Sequence, residues 1–500
     1  MSDNSQSTIT SLEKGGLGEI LYRPGHKCYD ERIDSYWSLT AQLKPWAIIQ
    51  PRTTEEVSKA LRALVNTTDC NFAIRSGGHM AWAGSNNINA GVTIDLGLLK
   101  TTMYNPETKI ASIQPGGRWA DVYTELEKRK EFQVFKYLYN DINTDENIVD
   151  GVMVAGGREG LVGVGGLLTG GGKTFYTCRY GFACDQVVNY EVVLADGSIV
   201  EANSETNPDL FLVLKGGSNN FGIVTRFDMT TFDASNIWDG IMAFPKSATD
   251  EIVEAFVDFT KNLAVNPDSH ILAMWTFLPK AKDHFVSMVL TNLDGVENSK
   301  SLQKFLTIPN GQGNMTTTTI AKKLVDFLVP SGKHDTWFTL TFKLDARIIK
   351  KAGDVFESLA EELKTLIPDS KFYISMVLQP LPTSFARHSV ARGGNMFGIE
   401  RLQDDCVLLV AAVEVETPEI SAQIGFPTLK AAIGEIETYA KSVSGDVGFL
   451  YLNYCDGSQD PFRTYGEENI KKMKAAAAKY DPTGVFQTRV PGGFKISKVE

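Results

Sequence analysis

The sequence predicts an α+β protein built as two units, on three observations. Its 500 residues exceed what one hydrophobic core usually supports. Short apolar strands alternate with amphipathic helices as far as Thr231. Beyond that point the glycine clusters thin out, and longer alternating strands paired with helices take over. A content of 43 % hydrophobic and 22 % charged residues is that of an ordinary globular chain.

Taken in order, Trp46–Val65 reads as an apolar strand, a Pro-Arg turn and an amphipathic helix. Thr53 or Thr54 caps that helix, and Glu55 and Glu56 in its first turn favour the helix dipole. Gly91–Leu99 and Thr108–Gly117 are alternating strands that end in turn residues, and RWADVYTELEKRK (118–130) opens a helix. Val187–Ala202 forms a hairpin around Asp196-Gly197, because the Asp-Gly pair suits the tight hairpin turn. In the second unit Thr336–Lys343 alternates, with Phe338, Leu340 and Phe342 on one face. A helix follows whose apolar stripe is Val355, Phe356, Leu359 and Leu363, and Cys406–Glu416 is a further strand. This pattern predicts an antiparallel sheet backed by helices.

Several function classes fall away. A net charge of -11 without a Lys/Arg cluster opposes nucleic-acid binding, which needs concentrated positive charge against phosphates. No apolar run approaches the ~18 residues of a membrane span. The polar start MSDNSQSTITSLEKGG has no apolar core of a secretory signal, so a cytoplasmic protein is expected, a secreted mature form being the alternative. Six cysteines (28, 70, 178, 184, 406, 455) form no CxxC pair, so no metal is expected and the thiols are expected reduced. Two motifs are decoys. GGGKT (170–174) lacks the P-loop glycine, whose position holds Leu167. The VGVGG run is no dinucleotide fingerprint, because Leu168 stands at the third glycine position.

Three segments carry chemistry together. AIRSGGHMAWAG (73–84) ends an apolar run in Arg75 and Ser76, and Gly77 and Gly78 let the backbone approach a flat ligand before His79. VGVGGLLTGGG (162–172) reads as a flat loop whose N–H groups face a ring and a pyrophosphate. LKGGSNNFGIVTRF (214–227) completes the set. In this order they resemble the vanillyl-alcohol-oxidase and berberine-bridge-enzyme flavoproteins, most closely the fungal berberine-bridge-like branch. The resemblance covers nearly the whole chain. It implies a two-part FAD-binding domain of PCMH type at 1–232 and 450–500, with a substrate domain inserted at 233–449.

The same resemblance implies FAD bonded covalently through His79. Pro51, Arg52, Arg75, Ser76, Gly77, Gly78 and Gly84 would cradle the phosphates and ribityl chain. Pro115, Gly116, Val164, Gly165, Gly170, Gly171, Phe221, Gly222, Ile223 and Val224 would enclose the cofactor. Bicovalent relatives carry a cysteine in the segment that here reads Gly157–Gly163; Glu159 occupies its position, which implies a single bond. Val162, three residues on, matches the position that gates oxygen in relatives, where valine accompanies oxidase behaviour. Leu167 stands where many plant members have histidine, and Trp46 where secreted relatives pair a cysteine with the position of Cys70.

For catalysis, Tyr451-Leu452-Asn453-Tyr454 resembles the YxNY motif of the family. It implies Tyr454 as base, with Tyr451 and Asn453 as flavin or substrate contacts and Glu400 as an alternative base. A free phenol ionises near a pKa of roughly 10, so such a base needs a nearby cation or donor. The expected reaction takes a hydride from a small alcohol, amine or polyketide intermediate of fungal secondary metabolism and forms H2O2 from O2. A carbohydrate oxidase, an oxidative cyclase and a non-catalytic flavin-binding protein are the alternatives.

Overall fold

The first strands form around a parallel crossover. In the computed structural model, which describes residues 3–128, 151–279 and 283–499, Leu21–Tyr22 (β1), Ala47–Ile49 (β2), Phe72–Arg75 (β3) and Val92–Asp95 (β4) make one sheet of order β1-β2-β4-β3. β2 and β3 both run parallel to β4, a geometry that requires a crossover element. The helix Thr54–Thr67 supplies it, capped by Thr53, whose hydroxyl accepts from the Glu56 N–H at 3.2 Å. Its Val57, Ala60, Leu61 and Leu64 are buried in the core of this unit.

A second, antiparallel sheet follows: Thr102–Asn105 (β5), Ile110–Ile113 (β6), Val187–Val193 (β8), Ile199–Asn203 (β9) and Ile223–Thr230 (β10), in the order β5-β6-β10-β8-β9. Gly197, at φ +80°, closes the β8–β9 hairpin at the Asp-Gly turn. Val152–Met153 (β7) pairs with Phe232–Asp233 (β11). Helix Trp119–Glu127 buries Trp119, Val122, Tyr123 and Leu126; Arg129 and Lys130 of the expected helix lie outside the described residues.

The third sheet is antiparallel throughout and has seven strands. They are Ile237–Pro245 (β12), Ser269–Leu278 (β13), Asp283–Asn292 (β14), Gln312–Thr318 (β15), His334–Lys343 (β16), Phe372–Leu381 (β17) and Cys406–Val415 (β18), in the order β15-β12-β14-β13-β17-β18-β16. Helices Thr249–Asn262, Ala346–Leu366 and Phe426–Ser442 back one face. Alternation separates the faces. Ile374, Met376 and Leu378 are wholly buried, whereas Tyr373, Ser375 and Val377 on the opposite side stay partly open. Leu272, Met274, Val410 and Ala412 share that open face by register with β17.

Backbone contacts tie the N-terminal loop to the inserted sheet and the closing segment back to the first one. The Leu39 N–H donates to Lys333 O at 2.8 Å and the Gly332 N–H to Trp37 O at 3.0 Å, so an early loop covers the edge strand β16. The Phe72 N–H donates to Arg489 O at 2.9 Å, and the Arg489 guanidinium donates to Cys70 O at 2.6 Å. All six cysteines are free thiols. One element departs from expectation: Val164–Gly170, read as a flat loop, is a short helix starting after Gly163. The two following glycines end it, Gly171 and Gly172 taking φ +126° and +84°.

Candidate functional site

Three loops meet behind His79. The Ser76 hydroxyl donates to Pro115 O at 2.6 Å and accepts from the Gly165 N–H at 3.1 Å. The Gly165 N–H also donates to Pro115 O at 3.1 Å, and Val164 N–H to Gly117 O at 3.0 Å. At the crossing, Gly77 and Gly163 touch backbone to backbone: a Cβ on Gly77 would lie 2.5 Å from Gly163 Cα. Gly116 is pressed equally hard, since its Cβ would fall 2.1 Å from Leu96 O. Gly78 holds φ +68° over the Arg75 guanidinium. These glycines are required by chain crossings, and the crossing fixes where the imidazole emerges.

The His79 ring stacks on Trp37, with centroids 4.6 Å apart at 11°, and Trp337 from β16 lies 6.4 Å away at 19°. Its Nε2 is 3.4 Å from Glu159 Oε2 and has no aligned hydrogen bond among the described residues. An imidazole held rigidly by stacking, at the meeting of glycine loops too tight for any Cβ, fits a group that bonds a flat ligand. Glu159 Oε2 accepts the Leu161 and Val162 N–H groups, both at 2.8 Å. Burial pushes this carboxyl up, but His79 and the Val329 and Leu161 N–H groups outweigh it and hold it below the usual range.

A second cluster lies where the open sheet face meets the closing segment. Arg158 Nη2 donates to Tyr454 Oη at 2.9 Å and to Gln379 Oε1 at 2.7 Å, and the Gln379 amide donates to the same phenol oxygen at 3.3 Å. Arg158 Nη1 lies 3.3 Å from His270 Nε2. His270 is buried; burial first, then Arg158, Lys173 and Lys323, pushes its pKa well below the ordinary value, so it is neutral. Lys173 is likewise driven down by burial and by Arg158, its amine bonded to Pro380 O. Arg158 is therefore the cation of the cluster that faces the phenol, and its guanidinium can balance a phenolate on Tyr454.

The other expected site residues divide. Tyr451 is core: it is 1 % exposed, its hydroxyl accepts from the Lys173 N–H at 2.8 Å, and burial raises its pKa. That burial opposes a role as base; the ring supports Tyr454 edge-on at 5.0 Å. Asn453 donates to Leu167 O at 3.2 Å, and a Cβ on Gly170 would collide with its carbonyl oxygen at 1.7 Å, so this pair locks the short helix to the closing segment. Arg75 differs from the expected phosphate contact. Its side chain is wholly buried, 3.3 Å from Asp95 and 3.6 Å over the Tyr36 ring, because Asp95 and the Ser35 hydroxyl supply the partners a buried guanidinium needs.

Pro51 is buried, and Arg52 is exposed with its N–H donating to Glu56 at 2.6 Å. Gly84 takes φ +84° with open space around it. Phe221, Gly222, Ile223 and Val224 are buried where β10 enters its sheet, and Gly222 admits Val192 side on. Glu400 is exposed on the turn Ile399–Arg401, where water solvates it, and the structure does not bring it to Tyr454. Sequence reasoning passed over Arg158, Trp37, Trp337 and His270, and read Gln379-Pro380 as a substrate-domain segment facing the ring without its partner Arg158. Arg158 stood inside a segment read only for its missing cysteine, and the others lie on strands and loops with no motif around them.

Comparison with known proteins places the chain among flavin-dependent oxidoreductases. The family described as FAD binding domain matches residues 45–138. The chain is 38 % identical to the FAD-dependent monooxygenase drtC of Aspergillus calidoustus over 499 residues, covering 98 % of this chain and 90 % of the relative. It is 34 % identical to the FAD-dependent monooxygenase sdcF of Emericella nidulans, covering 96 % and 97 %. Among solved structures, the Acremonium strictum glucooligosaccharide oxidase, whose structure is described as revealing a novel flavinylation, superposes with a TM-score of 0.75 at 19 % identity, covering 99 % of this chain and 98 % of that one. No helix among the described residues is long and apolar enough to cross a membrane.

Proposed function

The chain belongs to the fungal FAD-linked oxidoreductases of the berberine-bridge-like, PCMH-type branch, and from that premise we propose that it is an oxidase of small, largely apolar natural-product intermediates. The observation that carries this reading is the open sheet face beside Tyr454. Met274, Val377 and Val410 align across three strands, as do Ser375, Ala412 and Trp337 across another three. Leu272 extends the apolar strip. A carbohydrate substrate needs many polar groups at this surface; an aromatic or polyketide ring needs this apolar one.

FAD, when bound, accepts the electron pair of the substrate C–H bond and passes it to O2. His79 would hold it covalently, with the Ser76–Gly78, Pro115–Gly116 and Val162–Gly165 loops enclosing it. Tyr454 takes the substrate proton on its phenol oxygen, and Arg158 compensates the charge there. Gln379 fixes the phenol against the open face, so that a substrate lying on Val377 and Val410 presents its reacting carbon beside it. Val162, partly buried with both its N–H and C=O bonded to neighbouring loops, leaves less bulk than leucine at the ring and admits oxygen.

The relatives carry the name monooxygenase, and one experiment separates the outcomes. The holoprotein is mixed anaerobically with a panel of aromatic alcohols, amines and polyketide aldehydes or lactols, and bleaching of the flavin is followed. Reoxidation under 18O2 should then yield H2O2 stoichiometrically without label in the organic product. Label in the product would replace the oxidase reading by oxygen insertion; bleaching by sugars alone would replace the substrate class; no bleaching by any member would favour a flavin-binding protein without turnover.

A further inference from the structure

We propose that Glu159 is the positioning residue for flavin attachment, holding His79 as the tautomer protonated on Nε2 so that Nδ1 is the nucleophile toward the flavin 8α carbon. This rests on the reading of His79 as the attachment point and goes beyond it, because it assigns what makes the imidazole reactive.

The geometry starts from the carboxylate. Oε2 of Glu159 is pinned by the Leu161 and Val162 N–H groups at 2.8 Å each, and Oε1 lies 3.4 Å from the Val329 N–H. Nothing in this arrangement lets the group swing away. The nearest ring atom facing it is His79 Nε2 at 3.4 Å, both side chains being 15 % exposed. A carboxylate only accepts, and a neutral imidazole has one N–H and one lone pair. The N–H therefore falls on Nε2 and the lone pair on Nδ1, the same logic by which a carboxylate sets the tautomer of a metal-binding or catalytic histidine. At 3.4 Å the two atoms are close but not aligned as a hydrogen bond, and a small turn of the ring makes one, as catalytic contacts do when the ligand arrives. Trp37, stacked at 4.6 Å and 11°, fixes the plane of the ring, so tautomer and direction are set together.

The covalent step balances with dioxygen as oxidant. One C–H bond of the 8α-methyl and the imidazole N–H bond break, and one C–N bond forms between the methyl carbon and Nδ1. The methyl proton goes to solvent and the Nε2 proton to Glu159. The electron pair released leaves through the ring to O2, which with two protons becomes H2O2 and returns the flavin to its oxidised level. Bicovalent relatives place a second bonding residue at this position; here the same position holds the group that activates the first.

The test measures attachment rather than turnover. Flavin-free full-length protein, as wild type, Glu159→Gln, Glu159→Asp and His79→Ala, is given saturating FAD in air. Flavin fluorescence of acid-precipitated protein and intact mass are followed in time, with total bound flavin read by absorbance. Glutamine keeps an oxygen for the Leu161 and Val162 N–H groups but cannot take a proton, so the loop is retained and only the activation is removed. Glu159→Gln should bind flavin yet attach it roughly 10²-fold more slowly, and Glu159→Asp should recover part of the rate. Because rates are taken per bound flavin, a variant that binds less still decides the matter. Attachment by Glu159→Gln at the wild-type rate overturns the role of Glu159 while leaving His79 in place. Flavin fully extractable from the wild type, or bonded to a residue other than His79, overturns the attachment reading and this inference with it.

Discussion

Arg158 and Tyr454 are 296 positions apart in the chain, yet the guanidinium donates to the phenol oxygen at 2.9 Å. A second donor, the Gln379 amide, reaches the same oxygen at 3.3 Å. Two side chains, one of them a guanidinium, thus donate to one phenol oxygen.

That pairing predicts the behaviour of two variants. Tyr454→Phe should slow anaerobic flavin reduction on the order of 10²- to 10⁴-fold with flavin content unchanged, the usual contribution of a general base. Arg158→Gln should slow the same step without releasing flavin, since the charge on the phenol oxygen is then uncompensated. Stopped-flow traces showing less than a threefold loss in Tyr454→Phe would exclude it as the base.

A substitution at Val162 tests whether the two half-reactions can be separated. Its N–H is held by Glu159 at 2.8 Å and its carbonyl by the Trp119 N–H at 3.2 Å, so the backbone cannot shift to absorb a larger side chain. Val162→Leu should slow reoxidation in air at least about tenfold while flavin reduction changes little; the added methylene fills the small space that oxygen needs. Equal loss in both half-reactions would mean that Val162 only packs the loop.

Gly77 and Gly166 make a matched pair of tests for the cradle. A Cβ on Gly77 would come within 2.6 Å of both Gly163 N and Gly163 Cα, whereas one on the exposed Gly166 meets nothing within 4 Å. Gly77→Ala should therefore lower stability by about 1–3 kcal/mol or more and impair flavin retention. Gly166→Ala, in a helix, should be neutral or stabilising by up to ~1 kcal/mol. Thermal melts with flavin release as a second readout check both.

Asp335 on β16 predicts a pH dependence of stability. Burial, with Glu414 opposite adding to it, raises its pKa to about 8, against the Ser38 hydroxyl and Lys333. A carboxyl whose folded pKa lies above the unfolded value of roughly 3.9 binds its proton more tightly in the folded state. Its stabilisation is complete below the unfolded value and is lost as pH rises through about 8. Glu414, raised to about 7 mainly by burial, follows the same sign, so the two titrate as a pair. The melting temperature should fall between pH 5 and pH 8, and Asp335→Asn should flatten that slope. Identical slopes in the two proteins would contradict it.

Local physics made much of this molecule readable from the chain. The helix Thr54–Thr67 follows from its cap and its apolar stripe, and the β8–β9 hairpin from Asp196-Gly197, because both depend on residues within a few positions of each other. The glycine segments, through their order in the sequence, pointed to the loop crossing around His79. The run Val164–Gly170 became a helix because the crossing of Gly163 with Gly77 starts it and Asn453 locks its end, contacts far apart in the chain. Likewise only the tertiary structure turned Arg75 inward to Asp95, left Glu400 in water, and brought Arg158, Gln379 and Tyr454 to one point. Periodicity and turn chemistry act over short separations and leave a signature in neighbouring residues. The partner of a buried charge, and the strand order β13-β17-β18-β16 that sets the open apolar face, depend on which distant segments pack together, and no local pattern encodes that.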